Sequence, residues 1–212
     1  MSIKSSLAIR RFGCTAYEPI WQAMIDFTKN RNAATQDELW VCEHFPVYTL
    51  GQAGKTEHLL RENGIPLIKV DRGGQITYHG PGQVVVYVML DLLRRGLKVH
   101  ELVFRIEAAI ISLLNGFDIQ ALRRDNAPGV YVRQNGELAK IAQLGIRVRK
   151  NGCYHGLSLN VDMDLAPFSA INPCGYVGLA VTQTRDLGIA LSSEQMAEAL
   201  LPHLVGVLEQ DG

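Results

Sequence analysis

The sequence predicts an α+β domain in which helices back a mixed or antiparallel sheet, and three observations indicate this. Long amphipathic helices occur together with hairpins rather than in strict βαβ alternation. The segment Val84–Leu92, VVVYVMLDL, is too continuously apolar for a half-exposed strand and fits one covered on both faces. The 212 residues, 47% hydrophobic and 20% charged, can bury a core. We therefore expect a single domain over residues 1–212.

Helical periodicity locates three long helices. Apolar residues at helical spacing predict a first helix over Tyr17–Ile25 and a second over Leu102–Leu114. A capping box at Ser192 predicts the start of a third, whose apolar face runs over Met196–Leu208. Pro202 should bend this last helix, because proline lacks the N–H that the helix needs.

Short apolar runs and turn signals predict the strands. Runs at Leu39–Cys42 and Leu67–Val70 suit short strands. The pair Asn135-Gly136 separates GVYVR from ELAKIA, and Asn-Gly tolerates positive φ at both central positions of a hairpin turn, so Lys140 should lie on the hairpin's second strand. Further strands are expected at Leu144–Val148 and, after a turn at Asn151-Gly152, at Leu157–Val161, where apolar and polar residues alternate.

Charge and motif spacing exclude several classes of function. The 21 Lys and Arg balance 21 Asp and Glu, whereas proteins that bind nucleic acid or anionic membranes usually carry a basic excess. No apolar run approaches the roughly 20 residues of a membrane span, and the N-terminus lacks a secretory signal, so a cytoplasmic protein is expected. No cofactor is expected, since neither a Walker loop nor GxGxxG is present. No metal is expected either, since Cys42-Glu43-His44 and Cys153-Tyr154-His155 each lack further ligands.

The densest polar cluster, Asp71 to Gln83, lies between two predicted strands. Its glycines let a backbone approach a ligand closely, and Gln75, Thr77 and His79 alternate as on a strand. The alternative is a tight crossover in which the glycines only satisfy positive φ. Such a crossover does not require polar groups on one face, and we therefore favour a binding site.

Each cysteine is judged as a separate thiol, because no CxxC pair occurs. Cys14 and Cys42 are expected to be buried and inert. Cys174 lies in the loop NPCG, after a short helix predicted at Leu165–Ile171, where its sulfur could be exposed beside free backbone N–H groups. A nucleophilic thiol needs a proton acceptor, and Lys140 is the candidate if its strand points it inward, where burial favours the neutral amine.

Three segments together resemble a known family: Arg72 to Gln83 (RGGQITYHGPGQ), Leu138 to Val148 (LAKIAQLGIRV) and Tyr154 to Gly175 (YHGLSLNVDMDLAPFSAINPCG). They resemble the lipoyl(octanoyl) transferases, the octanoyl-[acyl-carrier-protein]:protein N-octanoyltransferases of lipoate biosynthesis. The resemblance implies a fold similar to the catalytic domains of biotin and lipoate protein ligases. It also implies transfer of an octanoyl group from acyl carrier protein to a lysine of lipoyl domains in 2-oxoacid dehydrogenases or of the glycine-cleavage H protein.

The same resemblance implies roles for particular residues. Cys174 would hold the acyl group as a thioester, and Lys140 would shuttle protons. His79 would either help to hold the oxyanion or order the glycine turn. The implied acyl pocket is lined by Arg72, Gly73, Gly74, Gln75, Ile76, Thr77, Tyr78, His79, Gln143, Leu144, Gly145, Gly156, Leu157 and Ser158. Gln143 and Ser158 depart from the smaller residues common in the family, which bears on the fit of the acyl chain.

Acyl carrier protein is acidic, so a basic patch should receive it. The candidates are Arg10, Arg11, Arg72, Arg147 and Arg149. Three rival functions remain open: an ATP-dependent lipoate or biotin ligase, a thioesterase-like hydrolase, and a carrier-binding module without catalysis. The thiol in the NPCG motif argues against the ligase, which would not need it.

Overall fold

The computed structural model describes residues 7–134, 136–173 and 178–210. Its helices are α1 (Tyr17–Asn30), α2 (Val99–Asn115) and α3 (Ser193–Glu209). Its strands are β1 (Ala8–Thr15), β2 (Glu38–His44), β3 (Val47–Leu50), β4 (Leu67–Lys69), β5 (Ile76–His79), β6 (Gln83–Met89), β7 (Ala121–Leu122), β8 (Gly129–Gln134), β9 (Glu137–Arg149), β10 (Gly152–Asn160) and β11 (Ala180–Val181). Short 3₁₀ helices cover Thr56–His58, Ala166–Ala170 and Arg185–Leu187.

Two sheets organise these elements. The larger sheet has the order β1-β2-β6-β10-β9-β8-β7, and β11 pairs with β9 beside this path. The β1–β2 and β9–β11 pairs are parallel, whereas the neighbours from β2 to β7 are antiparallel, so the sheet is mixed. The smaller sheet has the order β4-β3-β5. The predicted α+β class with a mixed sheet backed by helices is thereby confirmed.

The central strand β6 separates two hydrophobic cores. Val84, Val86 and Val88 pack into a core with α2 and α3, and the alternate residues Val85 and Tyr87 pack into a second core with α1. Every residue of β6 is buried, which confirms the expectation of a strand covered on both faces. A third core joins the small sheet to the 3₁₀ helix Ala166–Ala170. The layer between α1 and the large sheet is where the polar residues described below lie.

The long helices agree with the periodicity. Helices α1, α2 and α3 contain the predicted segments, and Gly116 caps α2. The Ser192 capping box is present, because its side chain accepts a hydrogen bond from the Gln195 N–H. Pro202 lies inside α3, which continues through it. No helix in the described part of the chain combines the length and apolar character that a membrane span needs.

Several boundaries of the strands were predicted wrongly. Glu137–Arg149 is one continuous strand, not two, because β10 and β8 pair along both of its halves. The turn after it falls on Lys150 and Asn151, and Gly152 already pairs with Arg149. The β8–β9 hairpin is confirmed, with Gly136 at φ +86°, while Asn135 lies outside the described residues.

The sequence also concealed β1, an edge strand with mostly exposed side chains. Main-chain hydrogen bonds to β2, and not the burial of one face, hold this strand in place. Its residues therefore show no alternation of apolar and polar side chains. Cys14 lies on this strand and is exposed, so the expectation that it is buried was wrong, whereas Cys42 is buried as expected.

Candidate active site

A β-bulge sets the direction of Lys140. Val130 of β8 lies opposite Ala142 of β9, but the next residue, Tyr131, lies opposite Lys140, so Ile141 is an extra residue on β9. Both Ile141 and Ala142 therefore face the core beneath α2 and α3. Lys140 shares the opposite face of the sheet with Tyr131, because residues directly opposite on paired strands point the same way. The bulge thus turns the lysine away from the helical core.

The amine of Lys140 is buried and held by specific contacts. The residue is 0% exposed, its Nζ donates a hydrogen bond of 2.8 Å to the Pro128 carbonyl oxygen, and the amine lies 5.2 Å from the centre of the Tyr131 ring. Its side chain crosses over Gly129, where a Cβ would lie only 2.4 Å from Lys140 Cε. The burial that the sequence left open is thus observed, and glycine at 129 makes room for the lysine.

A cavity lies on the same side of the sheet; Lys140 does not line it, but Gln143, the residue opposite Gly129, does. Its free volume is about 50 Å³, and it is partly open to solvent. All of the pocket residues expected from the resemblance line it except two: Gly73, which lines a neighbouring groove, and Tyr78, which packs on Tyr48 and Phe168. The sequence did not single out Tyr17, Val85, Tyr87 and His155, which complete the lining. Alternation along β6 could have indicated Val85 and Tyr87.

Residues 72–75, here called the strap, lie over this cavity, and Arg72 holds them in place. Its guanidinium donates to the backbone oxygens of Thr49, Gly73 and Gln75, which folds residues 72–75 into a tight turn. Gly73 N–H also donates to the Ile146 oxygen of β9. A Cβ at Gly145 would lie 2.9 Å from the Gly73 oxygen, so the strap can approach β9 only because Gly145 has no side chain.

Buried amides link His79 to the strand that carries Lys140. Asn160 Nδ2 donates to the Thr182 oxygen (2.9 Å), so its Oδ1 faces Gln83 and accepts from Gln83 Nε2 (2.9 Å). Gln83 Oε1 must then accept from His79 Nδ1 (2.7 Å). Thr182 N–H in turn donates to the Lys140 oxygen (3.0 Å). This series of hydrogen bonds, here called the amide relay, joins His79, Gln83, Asn160 and Thr182 to β9.

The amide relay bears on the two roles considered for His79. Burial, and then the neighbouring His44, lower the pKa of His79 to about 3, so the ring is neutral. With its only N–H on Nδ1 and directed to Gln83, its Nε2 carries a lone pair and cannot donate to an oxyanion. The geometry therefore supports an ordering role for His79 in the glycine turn.

Asp71 lies between α1 and the sheet, where it joins three side chains. It accepts hydrogen bonds from Trp21 Nε1 (3.0 Å), from His155 Nε2 (3.1 Å) and from the Tyr154 hydroxyl. Burial alone would raise the pKa of Asp71, but these donors together hold it well below its usual range. Burial lowers the pKa of His155, so Nε2 carries the proton that Asp71 accepts and Nδ1 has a lone pair.

The cavity wall also carries an unusual polar pair. Ser158 Oγ donates to Gln143 Oε1 (2.7 Å), and the two residues lie opposite each other on β10 and β9. Within the described part of the chain, four buried atoms that line the cavity have no hydrogen-bond partner: Gln75 Oε1, Thr77 Oγ1, Gln143 Nε2 and His155 Nδ1. Unsatisfied polar atoms cost free energy in an otherwise apolar space, which is typical of a site that receives a ligand or water.

Cysteines other than Cys174 are unsuited to act as nucleophiles. Burial raises the pKa of Cys153 to about 12 and that of Cys42 well above its usual range. The exposed Cys14 has its pKa raised by partial burial and then by Glu43. Cys174 itself lies outside the described residues, so its predicted meeting with Lys140 stays a prediction. Among the described residues no cluster of three potential metal ligands occurs.

The five arginines do not form one docking patch. Arg72 is buried and hydrogen-bonded to backbone. Arg10 and Arg11 lie on the edge strand β1, where they form ion pairs with Glu38 of β2 and Glu198 of α3. Three strands separate β1 from β9, which carries Arg147 and Arg149. At about 4.8 Å per strand, the two sites lie roughly 19 Å apart.

Comparison with known proteins identifies the family. The sequence profile of the lipoyl protein ligase A/B catalytic domain matches residues 17–205. The octanoyltransferase of Dechloromonas aromatica is 61% identical over 203 residues, covering 95% of this chain and 97% of that protein. The octanoyltransferase of Azoarcus sp. is 55% identical over 209 residues, covering 98% of this chain and 90% of that protein.

Solved structures share the fold at low sequence identity. A bipartite lipoate protein ligase from Thermoplasma acidophilum superposes with a TM-score of 0.71 at 16% identity, covering 97% of this chain and 87% of that one. Biotin protein ligase from Aquifex aeolicus gives 0.57 at 10% identity, covering 97% and 70%. These structural likenesses confirm the expected fold, and the octanoyltransferase relatives indicate the activity. The chain therefore belongs to the octanoyltransferases of the lipoyl protein ligase A/B catalytic domain family.

Proposed function

We propose that this octanoyltransferase works through a thioester on Cys174, with Lys140 as the group that accepts and returns protons. Family membership makes the chain an enzyme that transfers octanoyl groups in lipoate biosynthesis. The route is our proposal: the donor is octanoyl-acyl carrier protein, and the acceptor is a lysine of a lipoyl domain of 2-oxoacid dehydrogenases or of the glycine-cleavage H protein. The observation that carries it is the buried Lys140 amine, turned by the bulge to the side of the sheet where the cavity lies.

In the first half-reaction, Lys140 takes the proton from the Cys174 thiol. The thiolate attacks the carbonyl carbon of the donor thioester, and collapse of the tetrahedral oxyanion breaks the bond to the carrier sulfur. The departing sulfur then takes the proton from the Lys140 ammonium, so the products are the octanoyl-enzyme and the carrier thiol. This half-reaction exchanges one thioester for another, so its free-energy change is close to zero.

In the second half-reaction, Lys140 takes a proton from the acceptor ammonium, because only the neutral amine attacks. Attack on the octanoyl-enzyme forms the amide and breaks the bond to Cys174. The Cys174 sulfur takes one proton back, and the other leaves to solvent. Conversion of a thioester to an amide is downhill, so no nucleotide is needed.

The mainly apolar lining of the cavity is suited to the methylene groups of an acyl chain. Its apolar lining can bury methylenes, each contributing roughly 0.8 kcal/mol, so its depth would favour a limited range of chain lengths. The residues proposed to bind the chain are Arg72, Gly74, Gln75, Ile76, Thr77, His79, Gln143, Leu144, Gly145, Gly156, Leu157 and Ser158.

Mass spectrometry of the intact protein tests the thioester route. After incubation with octanoyl-acyl carrier protein, we expect one octanoyl adduct on the wild-type chain, none on Cys174→Ser, and an undiminished adduct on the control Cys14→Ser, which removes an exposed thiol. Lys140→Met should slow adduct formation. Undiminished transfer by Cys174→Ser would exclude the covalent route, and dependence on ATP would favour a ligase. Octanoate released without acceptor, as fast as amide forms with it, would favour a hydrolase.

A further inference from the structure

A single peptide group lies between Lys140 and a buried glutamate of α2. The Pro128 carbonyl accepts the hydrogen bond from Lys140 Nζ (2.8 Å), and the N–H of the same peptide group, which belongs to Gly129, donates to Glu107 Oε1 (2.9 Å). The two ends of a peptide group point in opposite directions. The Glu107 carboxylate therefore fixes the side toward which the carbonyl points.

We infer that Glu107 is a positioning residue for the acid–base lysine, which it controls through the orientation of the Pro128–Gly129 peptide. Glu107 acts on Lys140 through this peptide, which is hydrogen-bonded to both side chains. The inference rests on the proposed role of Lys140. Glu107 lies on α2, which packs on the other face of the large sheet, and it is outside the three sequence segments that carry the family resemblance.

The surroundings of Glu107 explain why it can hold this peptide. Its side chain is 8% exposed, and its second oxygen, Oε2, accepts from Arg123 Nε (3.1 Å). Arg123 is itself placed by a hydrogen bond to the Phe104 oxygen and by stacking over the Phe104 ring. One carboxylate oxygen is thus used for the ion pair and the other for the peptide, so the contact with Gly129 uses an oxygen that Arg123 does not hold.

The peptide itself needs such a restraint. Gly129 has φ +135°, a conformation that glycine adopts without strain, and a peptide next to glycine can rotate at small cost. If this peptide turned over, Lys140 would face an N–H donor instead of a carbonyl acceptor. Lys140 Nζ would then lose the Pro128 oxygen as an acceptor and would leave the place where this oxygen holds it.

Three variants separate this positioning role from simple stabilisation. Glu107→Met removes the acceptor of the Gly129 N–H and the partner of Arg123. Arg123→Met breaks the same ion pair but leaves Glu107 on Gly129. Glu107→Gln keeps an oxygen that can accept from Gly129. Thermal unfolding of each variant reports how much stability is lost, and the rate of octanoyl transfer under saturating donor and acceptor reports function.

We expect Glu107→Met to lower kcat by roughly tenfold to a hundredfold with little change in KM, because a displaced acid–base group slows chemistry more than binding. Arg123→Met should lose similar stability and keep kcat, and Glu107→Gln should stay within about threefold of wild type. Amide hydrogen exchange at Gly129 should quicken only in Glu107→Met. A fall in kcat shared equally by Arg123→Met, or an unchanged kcat in folded Glu107→Met, would overturn the inference.

Lys140→Met separates failure of this inference from failure of the proposed function. If Lys140→Met transfers octanoyl groups as fast as wild type, the role of Lys140 is wrong, whatever Glu107 does. If Lys140→Met is inactive but folded Glu107→Met is fully active, Lys140 keeps its role and only the positioning by Glu107 is wrong.

Discussion

A side chain at Gly129 would displace Lys140: a Cβ there would lie 2.4 Å from Lys140 Cε and 2.6 Å from the Ala142 oxygen. The second distance is to backbone, so the strand could not adapt by rotating a side chain. Gly129 lies opposite Gln143 in the β8–β9 pair, and the side chain of Lys140, which lies beyond the bulge, reaches back over it.

Gly129→Ala should therefore lower octanoyl transfer by at least about tenfold. It should also lower the free energy of unfolding by roughly 2–4 kcal/mol, because overpacking adds to the strain of φ +135°. Gly136→Ala is the matched control: its φ is +86°, and a Cβ there meets nothing within 4 Å. It should lose only about 1–2 kcal/mol and keep its rate. Equal rates for the two variants would contradict the displacement of Lys140.

Asn160→Asp tests the amide relay with almost no change in shape. The aspartate cannot donate to the Thr182 oxygen while ionised, so the segment Ala180–Thr184 should lose its hold on β9 beside Lys140. We expect octanoyl transfer at pH 8 to fall by about tenfold or more. The ratio of variant to wild-type rates should rise as the pH is lowered, because a protonated carboxyl can donate again.

Thr182→Val is the control for this relay. The Thr182 hydroxyl has no partner in the described part of the chain, while its backbone makes both relay contacts, so this variant should keep the wild-type rate at all pH values. A rate ratio of Asn160→Asp that does not change with pH, in protein shown to be folded, would mean that Asn160 contributes only packing.

The Ser158–Gln143 pair predicts a coupling that a double-mutant cycle can measure. Ser158→Ala alone leaves Gln143 Oε1 buried without its donor, and should lower the free energy of unfolding by about 1–3 kcal/mol. In a Gln143→Leu background, the same change should cost much less, because no acceptor remains. Urea unfolding of the four proteins gives the coupling. Additive effects would indicate that the hydroxyl and the amide do not stabilise each other.

Buried histidines should make the protein less stable in mild acid. Burial lowers the pKa of His44 to about 4 and that of His79 to about 3, against about 6.5 in the unfolded chain. Between those values the unfolded state binds protons that the folded state does not. Stability is therefore fully present above pH 6.5 and falls as the pH drops toward 4, by about 1.4 kcal/mol per pH unit for each histidine.

Urea unfolding at pH 6.5, 6.0, 5.5 and 5.0 checks this dependence. His44→Gln should reduce the slope of unfolding free energy against pH by about one proton, or roughly 1.4 kcal/mol per pH unit. The comparison is between slopes, so a general loss of stability in the variant does not affect it. An unchanged slope would show that His44 binds protons equally in the two states.

Local patterns in the sequence were enough to predict the helices and strands that bury one or both of their faces. The apolar residues of α2 repeat at helical spacing, and β6 is apolar without interruption, so each was predictable without knowing its neighbours. The glycine-rich segment from Arg72 to His79 was recognisable because it concentrates polar residues beside glycines. The same segment was misjudged at Tyr78 and in the expected surface role of Arg72, since the strand face and the backbone acceptors around the guanidinium come from other parts of the chain.

Only the tertiary structure decided to which face of the sheet Lys140 points. Along β9 the residues on either side of the strand alternate, and the sequence left the lysine free to point to either face. The bulge at Ile141 arises from the pairing of β9 with β8, and it reverses the alternation between Lys140 and Ala142. Glu107 was beyond sequence reasoning for the same cause: a buried glutamate in an amphipathic helix has no local pattern that shows which peptide it holds. Burial of a face follows from neighbours a few residues away, whereas the direction of one side chain depends on strands and helices brought together by folding.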